Sequence, residues 1–322
     1  MSRPKQDLQY YATPLIDNPN DGEGGPVERV FDDLFATLTP FISGSNPLRP
    51  RQILYDWLIR PVEAELEKEK VKTLVFVLDG VLRGVPVAAL YDSKKQEYLI
   101  EKYSVALTPG LQLLYSRPLS PDRLRALAGG LAEARQGFSA LPAVELEVQE
   151  IAKVIPSQVL LNREFTRDRL QAQINAVPFS IVHLATHGQF SSQAENTFLL
   201  TWDDRINVKE LDKLLQRREQ LNRSPLELLV LSACQTATGD KRAVLGLAGV
   251  AVRSGARSTL ARLWSVADES TAELMSKFYS ELNKSGATKV EALRQAQLSL
   301  LKSSQYKHPY YWSPFVLVGN WF

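Results

Sequence analysis

The chain has 322 residues, enough for two domains or one large one with an extension, and its 44% hydrophobic and 23% charged content is that of a globular protein. A net charge of +2 is too balanced to point to nucleic acid or an anionic membrane surface. A single cysteine forms no internal disulfide, no run of about 18 apolar residues spans a membrane, and the polar stretch from Met1 to Asp7 lacks an apolar signal core. A cytoplasmic location, with no nucleic-acid or membrane partner, is therefore the expectation.

Residues 1–48 differ in character from the rest of the chain. Pro14 to Pro26 is turn and linker chemistry, and Val27 to Leu38 then carries apolar residues at helical spacing. The region reads as an N-terminal extension that packs on or caps the main domain. Gln52 to Glu69 reads as a helix that Pro61 kinks or splits. Lys72 to Leu78 is a buried strand, Val87 to Tyr91 a shorter one, and Tyr98 to Thr108 a third, with Asp92 to Gln96 as the hairpin loop. Leu124 to Gly130 is a further strand, and Gly137 to Pro142 marks an internal boundary.

Beyond that boundary strand and helix alternate. The helices expected are Val144 to Val154 (Val144, Val148, Ile151 and Ala152 inward), Thr166 to Ile174 with Thr166 as N-cap, Val208 to Arg218, Val244 to Ser254, Asp268 to Leu282 and Lys289 to Leu301. The strands between are Gln158 to Leu161, Phe179 to Ala185, Phe198 to Thr201, Glu227 to Ala233, Ser258 to Leu263 and Phe315 to Val318. Such alternation predicts an α/β fold: a mostly parallel sheet with helices on both faces.

Two of these strands end in reactive residues. Ile181 to Gly188 delivers His187 and then Gly188; Leu228 to Thr236 delivers Cys234. In an open α/β sheet, chemistry gathers past the carboxyl ends of the strands. A thiol is a nucleophile only as thiolate, so it needs a neighbouring base, and His187 is the natural one. The 47-residue spacing from His187 to Cys234 is close to the roughly 50 of the caspase arrangement.

Plainer readings stand beside these. A free cysteine is usually a small buried hydrophobe. His183, four residues before His187, is expected to be buried; a zinc site on the two would need carboxylates as well, and neither a metal nor a cofactor is expected. Asp268 and Glu269 suit a helix start, with Asp268 as N-cap, yet Trp264 to Asp268 also leaves a strand end and can wall a substrate pocket. Gly246-Leu247-Ala248-Gly249 reads as close helix packing, and Tyr310, Tyr311, Trp312 and Trp321 as core.

Taken together, HLATHG (183–188), SACQT (232–236), Gly246-Leu247, SGARS (254–258), LWSV (263–266), EALRQAQ (291–297), HPYYW (308–312) and FVLVGNW (315–321) resemble the CHAT domain, and LDGVLRGVPVAAL (78–90) resembles its N-terminal half. The resemblance runs from about Leu54 to Trp321. Such caspase-like modules commonly follow tetratricopeptide repeats in bacterial proteins.

The resemblance implies a caspase–haemoglobinase three-layer sandwich related to separases and gingipains. A smaller, pseudo-caspase-like half would span 49–137 and a catalytic half 138–322. It implies a cysteine endopeptidase acting on a protein substrate, with His187 as base, Cys234 as nucleophile, and the backbone N–H groups of Gly188 and Cys234 as the oxyanion hole. Ser232 stands where arginine- and lysine-specific metacaspases carry an aspartate, so basic specificity lacks that support; Ser232, Trp264, Ser265 and Asp268 are the candidate pocket residues. A regulatory or repeat-containing protein is the expected partner. A catalytically silent scaffold for protein–protein interaction is the alternative.

Overall fold

The computed structural model describes residues 11–13, 25–38, 47–110, 124–190, 196–207, 209–214, 226–232, 235–236 and 255–322. The strands are β1 (Thr73–Phe76), β2 (Tyr91–Asp92), β3 (Glu97–Tyr98), β4 (Ser104–Leu107), β5 (Ala126–Gly130), β6 (Ser157–Leu161), β7 (Ile181–Ala185), β8 (Gly188–Phe190), β9 (Phe198–Leu200), β10 (Arg205–Asn207), β11 (Leu228–Leu231), β12 (Gln235–Thr236), β13 (Ser258–Arg262) and β14 (Phe315–Gly319). The helices are α1 (Pro26–Leu38), α2 (Arg49–Leu58), α3 (Glu63–Lys68), α4 (Leu99–Lys102), α5 (Ala143–Val154), α6 (Arg167–Ala176), α7 (Asp268–Leu282), α8 (Lys289–Leu301) and α9 (Pro309–Trp312).

Eight strands form one sheet in the order β1-β4-β14-β13-β11-β7-β5-β6. All its pairs are parallel except β13 with β14. β5 lies beside β7, so a strand from before residue 137 sits among strands from after it. A second sheet, β10-β9-β8-β12, stands beyond the carboxyl ends of β7 and β11.

Because side chains alternate along a strand, each central strand feeds two cores. Val182, Leu184, Leu229 and Leu231 pack with α1, α2 and α6 through Phe31, Leu34, Leu54, Leu170 and Ile174. Ile181, Leu228, Val230 and Leu260 face the other way, into Ile151 of α5, Leu274 and Phe278 of α7 and Leu293 of α8. The result is the three-layer α/β sandwich expected, a parallel sheet buried on both faces. Strand β5 ends in two glycines, and a Cβ on Gly129 would stand 2.3 Å from the Phe165 ring, so only glycine lets the strand pass there.

Several expectations change in detail. Pro61 splits its helix through a 3₁₀ turn at Arg60–Val62. Val87 to Tyr91 is no strand: Val87–Ala89 is a 3₁₀ turn, and pairing begins only at Tyr91. Tyr98 to Thr108 is not one strand, because Leu99–Lys102 forms a turn of helix that Tyr98 and Glu101 close with a capping box. On α5, Ala152 is exposed and Glu147 takes the inward place. Asp268 is the first helical residue rather than the N-cap; Ala267 holds that position without a side-chain bond. Thr166 does cap α6, accepting from the Arg169 N–H at 3.3 Å. Residues 209–214 are helical, whereas the expected helix Val244 to Ser254, with its Gly246 to Gly249, lies outside the described residues. Among the described residues, no helix is long and apolar enough to cross a membrane.

Candidate active site

His187 stands one residue past Thr186 at the carboxyl end of β7 and is half-buried. The level is fixed from both sides. The buried Thr186 hydroxyl donates to the Leu200 carbonyl at 2.7 Å, and the Leu200 N–H donates to the His187 carbonyl at 2.8 Å. Gly188, buried, opens β8 and pairs with Leu199.

The ring is held by a segment that carries no chemical signature. Nε2 lies 2.7 Å from the Ser139 carbonyl, and the Phe138 ring packs against the imidazole with centroids 5.0 Å apart. A carbonyl only accepts, so Nε2 carries the hydrogen, and in the neutral ring the lone pair is then on Nδ1. No described residue hydrogen-bonds Nδ1. Residues 137–142, expected to be only a boundary, therefore orient the candidate base. No sequence signal marks a backbone carbonyl for that duty.

His183, on the same strand, is fully buried among α5 and α7. Its Nδ1 is 3.0 Å from the Tyr279 hydroxyl. Its Nε2 is 2.9 Å from Glu147 Oε1, a close contact of ion-pair distance that falls short of an aligned hydrogen bond. Burial holds the Tyr279 phenol well above its ordinary range, with Glu147 adding to the effect, so Tyr279 keeps its proton and donates. Both ring nitrogens of His183 thus have partners other than a metal. Among the described residues, no group of three metal-ligating side chains exists. The expected inward face of α5 has Ala152 and not Glu147; the signal that could have found Glu147 is its place one turn from Val144 and Ile151.

The candidate pocket residues divide. Ser232, at the end of β11, is buried, its N–H donating to the Leu184 carbonyl at 3.1 Å while its hydroxyl has no partner among the described residues. Trp264 is half-buried, donating from Nε1 to the Tyr310 carbonyl at 3.1 Å, with Phe35 of α1 edge-on to its ring at 5.8 Å. Ser265 is exposed and its carbonyl accepts from the Tyr310 hydroxyl at 2.8 Å. Asp268 is half-buried; burial pushes its carboxyl up, the Arg262 guanidinium opposes this, Glu269 and Glu147 push further up, and His187 pulls down. Arg262, buried on β13 and bonded to the Thr271 hydroxyl at 2.7 Å, is a charge that strand periodicity did not single out. Cys234 lies outside the described residues.

The three-layer sandwich, with a histidine presented past a central parallel strand, is caspase-like in architecture. The CHAT domain family matches residues 48–320, and the chain belongs to that family. It is 26% identical to mouse tetratricopeptide repeat protein 28 and 24% identical to the human one, each over 88% of this chain. It spans 14% of the length of those relatives. Among solved structures it is similar to the pro- and mature-domain complex of Porphyromonas gingivalis RgpB, with TM-score 0.53, 11% identity, and coverage of 91% of this chain and 76% of that one. It is also similar to the Saccharomyces cerevisiae separase–securin complex, with TM-score 0.50, 14% identity, and coverage of 82% and 17%. At such identities the likeness is one of fold.

Proposed function

We propose that the chain is a caspase-like cysteine endopeptidase in which Cys234 attacks a peptide carbonyl and His187 is its base. One observation carries this reading. Strand pairs flank the two candidate residues on both sides: Leu231 opposite Leu184 before them, Gln235 opposite Gln189 after them. In sequence, Cys234 falls between Leu231 and Gln235, as His187 falls between Leu184 and Gln189. The tautomer set by Ser139 supports the same role, since a base needs its lone pair on the nitrogen without the hydrogen.

In this reading His187 Nδ1 takes the Cys234 thiol proton as sulfur bonds to the carbonyl carbon. The same proton then passes to the leaving amine, and water hydrolyses the thioester. The backbone N–H groups of Gly188 and Cys234 would stabilise the oxyanion, a contribution on the order of 3 kcal/mol per donor. Ser232, Trp264, Ser265 and Asp268 would border the pocket for the residue before the cleaved bond. A reducing cytoplasm would keep the sole thiol free, and a repeat-containing protein would supply regulation. The contact of Phe35 with Trp264 favours a second reading, a silent scaffold, because α1 already occupies one face of that pocket wall.

Since Cys234 is the only thiol, its alkylation rate against pH separates the two readings. A dyad gives a thiolate well below the ordinary value of about 8.5, returned toward it by His187→Ala. New protein N-termini produced by the wild type should vanish in Cys234→Ala. A profile unchanged by His187→Ala removes the dyad and leaves the scaffold.

A further inference from the structure

On the face of the sheet that carries α5, α7 and α8, a trough of about 680 Å³ runs along the outer side of α7. Its floor is a ridge of small residues one turn apart, Ala272, Ser276 and Ser280. One wall is α5, with Ala143 and Leu146; the other is Tyr306, after α8. Leu146 is 53% exposed, one of few large apolar side chains left in solvent among the described residues.

The charge along the trough is uneven. Glu150 is paired with Lys153 at 2.6 Å, and Lys277 with Glu281 at 2.7 Å. Glu269 and Glu273 are exposed and make no ion pair with any described residue. They are four residues apart on one helix, an arrangement in which like charges repel. The helix dipole favours Glu269 in the first turn but gives little to Glu273 in the second. Burial pushes the Tyr306 phenol up, and Glu273 and Glu269 add to it, so their field falls across the trough.

We propose that this trough docks a basic amphipathic helix from a partner chain. Apolar side chains of the partner would meet Leu146, Tyr306 and the Ala272 ridge, and its lysines or arginines would reach Glu269 and Glu273. The floor extends from Glu269 to Ser280, about 16 Å or three helical turns. Small residues at four-residue spacing let a second helix approach closely along α7. A partner in extended form would find no strand edge here, because α7 uses its backbone groups internally; a helix arrives with its own already satisfied. The trough stands independently of the peptidase reading. Even so, α5 follows the segment that holds His187, and α7 begins at Asp268, so an occupant would touch both supports of the site.

The test uses fluorescence anisotropy on the full chain with three synthetic peptides of about 14 residues. The first places Leu at helical spacing with Lys elsewhere; the second replaces Lys by Glu; the third has the first peptide's composition in strict alternation. The first should bind, and bind more weakly in high salt, while the other two should not. Affinity should fall about tenfold or more in Glu269→Lys with Glu273→Lys, and likewise in Leu146→Asp, with circular dichroism unchanged. Equal binding of the alternating peptide, binding unchanged in the variants, or no binding of the first peptide would overturn the proposal. Self-association of the chain that the same substitutions abolish would assign the trough to a second copy, and would also overturn it.

Discussion

His183 and His187 lie on one strand four residues apart, yet they live in opposite surroundings. His183 is sealed between α5 and α7, against Glu147 and Tyr279. His187 is half-buried past the strand end, its ring pinned by one carbonyl and one phenyl ring. A strand that is buried along its length and open at its end gives one residue type two environments. The inner histidine sits against a buried carboxylate and ties two helices to the sheet; the outer one has an Nδ1 that no described residue hydrogen-bonds.

The largest expected effect falls on the outer ring. His187→Ala should lower the rate of peptide cleavage by about 10²–10⁴-fold, with the denaturant midpoint little changed, as kinetics and urea titration would show. The inner ring reverses that pattern. His183→Leu leaves Glu147 buried without its partner and should cost about 3–5 kcal/mol in chemical denaturation. Adding Glu147→Met should recover most of it, because a matched apolar pair no longer buries a charge. If His183→Leu is as mild as His187→Ala, the contrast between the two rings fails.

The amino end of the sheet sharpens the comparison with another buried charge. Lys289 is fully buried, its Nζ 3.4 Å from the Glu227 carbonyl; burial pushes its ammonium down to about 8, with Glu227 opposing and Arg257 assisting. Between about 8 and the ordinary 10.5 the folded state has lost this proton while the unfolded chain retains it. Stability should therefore rise with pH across that window, by up to ~3 kcal/mol. Urea titrations of wild type and Lys289→Met should differ by that slope. The smallest effect is that of Phe138→Ala: loss of the ring contact on His187 should slow cleavage by about three- to tenfold, with the apparent pKa of the thiol moved toward its ordinary value.

The legible parts of the molecule are those where a side chain states its own surroundings. Helices 268–282 and 289–301 stand where the apolar spacing placed them, and Thr166 caps as its hydroxyl suggests. Burial of His183 followed from its place inside the apolar run, and the rim position of His187 from its place past the end of that run. The turn of helix at Leu99–Lys102 was hidden because Tyr98 to Thr108 is rich in aromatic and branched residues, while a local capping box and tertiary packing decide. Glu147 was hidden because a carboxylate on an apolar face is explained only by a partner on another element. Ser139 contributes its carbonyl, an atom common to every residue, so identity conveys nothing about it.

The placement of β14 has a consequence for biosynthesis. It runs between β13 and β4, joining strands from residues 258–262 and 104–107. Until residues 315–319 have left the ribosome, β4 and β13 lack the strand that joins them, each with an apolar edge bare. Early-made segments must wait through translation for this late seam, a window in which chaperones would find their ligand.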